Sequence, residues 1–313
     1  MSGDLIVLDG GLGGELIRRG WPSGGLWSAK ALVEQPEIIR NVHDDYINAG
    51  ARVIITNTYS TIPSYLDKSG MGDSYLELTE KAGSIARAAA DESEFEVKVA
   101  ASIPPLSESY RPDLVPEAEV ALPIYVAMAD CLAPFTDVYL CETMSSIQES
   151  KNAVTAIRSV NQTIPIWVAW TLNDEPGAGL RSGESISEAV AALSEDGIEA
   201  FLFNCTDPQA ISHGIKELST VTDKAYGAYP NKFYVPDGWT LDNEIATEPR
   251  ELTPEDFRSF ADRWRQDGAS IIGGCCGLGP EYISALASRN LSNKIHKYFG
   301  SIKLKDYINK IVT

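Results

Sequence analysis

Along the 313 residues, short runs rich in aliphatic and β-branched residues alternate with amphipathic segments, and this alternation is what most limits the fold. The runs fall at 5–9, 52–58, 97–103, 137–141, 165–172, 200–204, 225–229 and 269–273, and they predict eight strands. Apolar residues at helical spacing predict helices over 36–49, 75–90, 118–135, 147–160, 186–196, 208–220, 254–267 and 280–289. Asp207-Pro208 and Thr253-Pro254 read as helix starts, an oxygen-bearing cap before a proline whose fixed φ suits the first turn. Runs such as Val53-Ile54-Ile55 are apolar at successive positions, as parallel strands covered on both faces require. Eight strand–helix units in a chain of this length imply an α/β fold, the (β/α)8 TIM barrel, as a single domain over 1–313. The basic, mixed segment from about 291 is expected to be a C-terminal helical tail packed on the barrel. An open, doubly wound sheet is the competitor. The glycines at 10, 11, 13 and 14 argue against it, because they lack the spacing of a dinucleotide-binding loop. The long connections over 104–116 and 231–253 follow strand ends and are expected on the catalytic face.

Charge narrows the partners. Lys and Arg total 26 against 44 Asp and Glu, a net charge of −18, which repels nucleic acid phosphates and suits a cationic small substrate. Acidity of this kind also simply keeps a protein soluble. The N-terminus carries no basic leader, and no stretch reads as the roughly 18 apolar residues of a membrane span. Cys131, Cys141, Cys205, Cys275 and Cys276 are irregularly spaced and odd in number, which implies free thiols in a reducing, cytoplasmic setting.

The segment Gly273-Gly274-Cys275-Cys276-Gly277 carries the strongest chemical signal. Neighbouring residues on a regular strand point to opposite faces, so two adjacent sulfurs reach one ion only if the backbone leaves that conformation. Flanking glycines permit it. Cys205 ends another predicted strand at the same face. Three strand-end sulfurs with one open position match a catalytic zinc, and sulfur donors select zinc over harder metals. The same pair also fits a vicinal disulfide or a redox switch, while Cys131 and Cys141 read as ordinary buried thiols.

These pieces, with others spread over almost the whole chain, resemble the zinc-dependent homocysteine S-methyltransferases, a group that includes the S-methylmethionine, selenocysteine and betaine branches. The matching motifs begin with Leu8-Asp9-Gly10-Gly11 and the glycines after it, Leu26-Trp27-Ser28-Ala29-Lys30, and His43 with Tyr46 and Ala49-Gly50-Ala51. They continue with Thr56-Asn57-Thr58-Tyr59, Cys141-Glu142-Thr143, Asn204-Cys205 and the double-cysteine segment. Trp27-Ser28-Ala29-Lys30 leans toward the sulfonium-using branch.

The resemblance implies methyl transfer from a sulfonium or quaternary ammonium donor to the thiol of homocysteine, forming methionine. It places Zn2+ on Cys205, Cys275 and Cys276. Asp9, Gly10 and Glu142 would line the homocysteine site, with Glu142 on the amino group and Gly10-Gly11 amides on the carboxylate. Trp27 and Tyr59 would face the donor, since an aromatic face attracts a desolvated cation by roughly 1–2 kcal/mol; Asn57 would orient a polar group nearby. Beyond the metal site no catalytic residue is needed once the thiol proton has gone, and the chain has only three histidines. The sequence departs from the pattern at Phe203, over 103–112, at Lys232-Phe233-Tyr234 within the 231–253 connection, and at Leu278-Gly279. These changes leave the three cysteines intact and put the donor in question: S-methylmethionine, S-adenosylmethionine, dimethylsulfoniopropionate or betaine. Selenocysteine is a further possible acceptor. Two other readings are a zinc-dependent barrel hydrolase, which ordinarily wants histidine or carboxylate ligands and a base, and a redox sensor using Cys275-Cys276.

Overall fold

The computed structural model describes residues 5–22, 26–236, 239 and 247–288, with the Trp27 side chain outside that set. The tail expected from about 291 lies outside the described residues.

Eight parallel strands form one sheet: Ile6–Val7, Val53–Ile55, Lys98–Ile103, Val138–Met144, Ile166–Trp170, Ile198–Asn204, Ala225–Tyr229 and Ile271–Ile272. Each pairs with the strand before it from the third to the eighth, and the eighth pairs with the first through Ile6 opposite Ile271. A bridge between Leu8 and Val53, with Arg52 N–H donating to Val7 O at 2.8 Å, joins the first strand to the second and closes the ring. The result is the expected (β/α)8 barrel. The first, second and last strands are shorter than the sequence suggests, although Gly273 N–H still donates to Ala228 O at 3.1 Å and Gly274 N–H to Asp9 O at 2.9 Å before the chain bends toward its two cysteines.

The core has two layers. Val138, Leu140, Trp167, Ala169, Ala200 and Leu202 point into the barrel, while their neighbours Tyr139, Cys141, Val168 and Phe201 pack under the helices. That alternation is the pleat of a strand buried on both faces. Helices Pro36–Ala49, Tyr75–Asp91, Ala118–Leu132, Ile147–Val160, Ile186–Ala192, Pro208–Val221 and Pro254–Gln266 follow successive strands, and the last described helix spans 280–288. Asp207 accepts from two amides at the start of its helix, and Thr253 forms a capping box with Asp256, so both proline-marked starts hold. Three more helices, Leu12–Arg18, Trp27–Glu34 and Pro63–Leu66, lie in the connections after the first two strands, where the sequence pattern assigned no element.

One expectation fails. The segment Ala118–Phe135 is long and apolar enough to cross a membrane. Here Tyr125, Met128, Ala129 and Leu132 are buried within the core, and Pro123 lies inside the unbroken helix Ala118–Leu132.

Candidate active site

At the C-terminal ends of the strands, Asp9, Gly10, Asn57, Tyr59, Glu142 and all three candidate metal cysteines surround a cavity of about 390 Å³. Of the residues singled out by sequence, only Trp27 cannot be placed by its side chain, which lies outside the described residues; its backbone opens helix Trp27–Glu34.

The sulfur cluster depends on two backbone departures. On the sixth strand Ala200, Leu202 and Asn204 face the barrel interior, so the pleat would send Cys205 outward. Its φ of +47° instead turns it into the cavity. Past the eighth strand, Cys275 N–H donates to Pro230 O at 2.8 Å and Lys232 N–H to Cys276 O at 2.9 Å, and Gly277 at φ +81° completes the bend. A β-carbon at Gly11 would come within 2.6 Å of Cys275 O, so the glycine-rich segment is what lets the first and eighth strand ends approach.

All three sulfurs lie within 4.8 Å of one another. Cys276 Sγ is 3.8 Å from Cys205 Sγ and 4.0 Å from Cys275 Sγ. Sulfurs around a tetrahedral zinc at about 2.3 Å sit about 3.8 Å apart, so these spacings fit that ion. Cys205 and Cys275 are joined as a disulfide, so the metal-ready form is the reduced one. The contact is not the vicinal Cys275–Cys276 bond that the sequence also allowed. Burial, and secondarily the charge of Glu142, pushes the Cys276 thiol up to about 12. The site therefore holds its proton until a cation replaces it. Cys131 donates to Leu76 O, and Cys141 is buried among the helices; neither belongs to the cluster.

Two carboxylates face the same space. Glu142 extends the inward row of Val138 and Leu140 and accepts from Ser102 Oγ at 2.5 Å and Tyr229 Oη at 3.2 Å. Burial raises it to about 7, against the pull of those two bonds. Asp9 accepts Ile55 N–H at 2.8 Å through Oδ2, while its buried Oδ1 has no partner. Burial and then repulsion from Glu142 raise Asp9 well above the ordinary carboxylate range. Two acids held this way favour a cation between them. The Gly11 amide is already committed to Leu278 O at 3.1 Å, which leaves it unable to receive a substrate carboxylate as expected.

Aromatic residues make up another part of the lining. Tyr59 Oη lies 2.6 Å from Ser109 Oγ, and Tyr110 packs on Trp239 with ring centroids 5.7 Å apart. Tyr110, Trp239, Phe233 and Tyr229 line the cavity and were not singled out by sequence. Tyr110 and Trp239 come from the 104–116 and 231–253 connections, which hold two of the four departures from the family pattern. Asn57 donates to Ser28 O at 3.1 Å and so ties the second strand end to helix Trp27–Glu34. Tyr110, Thr143 and Cys205, the non-glycine residues with left-handed backbone among those described, all line this cavity. Strain of that kind collects at functional sites.

Comparison with known proteins bears on what the cavity does. The sequence profile of the family described as homocysteine S-methyltransferase matches residues 6–290. The homocysteine S-methyltransferase YbgG of Bacillus subtilis is 31% identical, over 91% of this chain and 94% of its own length. The selenocysteine methyltransferase of Astragalus bisulcatus is also 31% identical, over 91% and 92%. Among solved structures, the metallated form of the Escherichia coli homocysteine methyltransferase MmuM superposes with a TM-score of 0.77 at 26% identity, covering 92% of this chain and 96% of that one.

Proposed function

Because the chain belongs to the homocysteine S-methyltransferase family, we propose that its cavity transfers a methyl group from a cationic donor to the thiol of homocysteine, yielding methionine. The observation that carries this reading is the opening of a three-sulfur cluster and two buried carboxylates into one cavity.

Cys205, Cys275 and Cys276 would hold Zn2+. When bound, the ion supplies the Lewis acidity that makes a ligated thiol a thiolate at neutral pH. The chain's own residues do the rest. Glu142, fixed by Ser102 and Tyr229, and the unpartnered Oδ1 of Asp9 receive the amino group of the acceptor. Tyr59, Tyr110 and Trp239 present ring faces to a sulfonium or ammonium. In the transfer the acceptor sulfur lone pair forms the new S–C bond as the donor's bond to that methyl breaks. The donor takes the electron pair and leaves neutral. No proton moves in this step, which accords with a cavity that no histidine lines among the described residues.

Selenocysteine is a second acceptor, a reading favoured by the Astragalus relative. Residence in the cytoplasm belongs to the same reading, since a reducing compartment keeps the Cys205–Cys275 pair open to metal.

The test is methionine formation from homocysteine by the reduced, zinc-loaded protein, with S-methylmethionine, S-adenosylmethionine, dimethylsulfoniopropionate and betaine offered separately. Methionine from one of them establishes the reaction and names the donor. None from any, with zinc bound, overturns the reading.

A further inference from the structure

The connection after the fifth strand doubles back on itself. Leu172 and Leu180, both buried, form an antiparallel bridge, with Asn173 N–H donating to Gly179 O at 3.0 Å and Arg181 N–H to Thr171 O at 3.3 Å. Gly179 stands at φ +80°, so the return suits a residue without a β-carbon. The doubling delivers Arg181 to the strand ends. Its largely buried guanidinium lies over the Tyr110 ring, 5.2 Å from the centroid. Tyr110 lines the cavity, whereas Arg181 is not among the lining residues.

Two contacts hold the guanidinium. Nη2 lies 3.2 Å from Asp174 Oδ2, and Nε donates to Thr171 Oγ1 at 3.5 Å. Each runs on to the segment that follows the sixth strand: Asp174 Oδ1 accepts Asp207 N–H at 3.1 Å, and Thr171 Oγ1 donates to Cys205 O at 3.5 Å. A planar, forked guanidinium can span both partners and still offer its charge to the ring, which a compact ammonium cannot. Tyr110 itself stands at φ +65°, a conformation that a residue other than glycine keeps only when its surroundings impose it. Its ring is met by Trp239, with centroids 5.7 Å apart, and by Arg181.

We propose that Arg181 is a positioning residue: it braces the Tyr110 ring against the Cys205–Asp207 segment, so that this part of the aromatic lining keeps a fixed place relative to the sulfur cluster. A cation resting on Tyr110 and Trp239 then presents its methyl at a set distance from the acceptor sulfur. This inference rests on the methyl-transfer reading, with Tyr110 and Trp239 on the donor side.

The experiment is a double-mutant cycle of Arg181→Met, which keeps an unbranched stem and removes the charge with both of its anchors, and Tyr110→Ala, which removes the ring. Homocysteine binding is read from the thiolate charge-transfer absorption of the Co2+-loaded, reduced protein, independently of turnover. Donor KM and kcat are read from methionine formation. Donor KM is expected to rise about fivefold in Arg181→Met and about tenfold in Tyr110→Ala, with homocysteine affinity within about twofold of the wild type in both. If Arg181 acts through Tyr110, the double variant matches Tyr110→Ala within about twofold, whereas independent losses would multiply to about fiftyfold. Multiplied losses overturn the proposal, as does an unchanged donor KM in Arg181→Met or an equal loss of homocysteine affinity there. Should Arg181→Met not fold, Asp174→Asn, which withdraws the ion pair alone, takes its place in the same cycle. A wild-type protein that makes no methionine overturns the functional reading and this proposal together; multiplied losses in a protein that makes it overturn this proposal alone.

Discussion

Tyr229, at the end of the seventh strand, donates a hydrogen bond of 3.2 Å to Glu142, at the end of the fourth. The bond crosses the barrel mouth and fixes the carboxylate that would meet the acceptor's amino group. Glu142→Gln keeps the shape and both neighbours but loses the charge, and a charge-assisted contact is worth about 1.5–3 kcal/mol. Homocysteine KM is therefore expected to rise about 10- to 100-fold with zinc content unchanged. Tyr229→Phe removes one of two supports and is expected to cost about fivefold. Steady-state kinetics alongside metal analysis checks both; a Glu142→Gln protein with normal KM removes this residue from the acceptor site.

Cys276 contributes one of three sulfurs, and its buried thiol, pushed up to about 12, is protonated at neutral pH in the metal-free protein. Metal must displace that proton, so affinity should rise about tenfold per pH unit for each proton released. Chelator competition at pH 6.5 and pH 8 measures the slope. Cys276→Ser is expected to lose zinc and turnover together, and full turnover by a zinc-free Cys276→Ser protein would sink the metal role.

Trp239 packs against Tyr110 with ring centroids 5.7 Å apart, and both belong to the cavity wall. If that wall receives the cationic donor, Trp239→Ala removes about 1–2 kcal/mol of cation–π attraction. Donor KM is expected to rise about 5- to 30-fold while homocysteine KM stays within twofold. Changes of equal size in both would place Trp239 outside the donor subsite.

The barrel was legible because strand and helix periods differ and because the strands carry apolar residues on both faces, as along Val138–Met144. Glu142 and Tyr229 sit at strand ends, where position alone points to the mouth; only the first was singled out, because Tyr229 reads as an ordinary apolar strand residue. Cys205 was reached for a partly mistaken reason. Extended geometry would have turned it outward, and only its left-handed backbone brings it in. Tyr110 and Trp239 were beyond reach: they stand on irregular connections, where no periodicity states which way a side chain faces. The apolar stretch at 118–135 was misjudged because the acids at 119 and 130 break the run without lowering its mean hydropathy enough.

Glu149 is buried outside the cavity, where its Oε2 accepts from Ser145 N–H at 2.7 Å and Ser145 Oγ at 2.8 Å. Burial raises it from 4.5 to about 7. The unfolded chain loses this proton near pH 4.5 and the folded chain only near pH 7, so the group's stabilising contribution is present below 4.5 and lost as pH rises through 7. Gln accepts the same two bonds without a charge. Glu149→Gln is expected to match the wild type near pH 4.5 and to be more stable at pH 8 by about 3 kcal/mol, measured by denaturant unfolding. Equal stability at pH 8 would mean the burial cost is relieved in some other way.

His43 supplies the opposite slope. It is fully buried on helix Pro36–Ala49, neither ring nitrogen has a partner, and burial, with the nearby Arg40 charge, lowers it from 6.5 to about 4. The unfolded chain takes up a proton below about pH 6.5 while the folded chain refuses it until about pH 4. The contribution is whole above 6.5 and lost as pH falls through 4, by about 3 kcal/mol in all. Between pH 4.5 and 6.5 the two groups act against each other, so as far as this pair decides it the wild-type unfolding free energy should vary little there. His43→Gln, which cannot titrate, exposes the Glu149 slope, with stability falling as pH rises. Glu149→Gln removes the Glu149 slope, so its stability relative to the wild type rises with pH between about 4.5 and 7. Unfolding free energies at half-unit intervals check this; variants sloping in the same direction would show that these two groups do not set the acid limb.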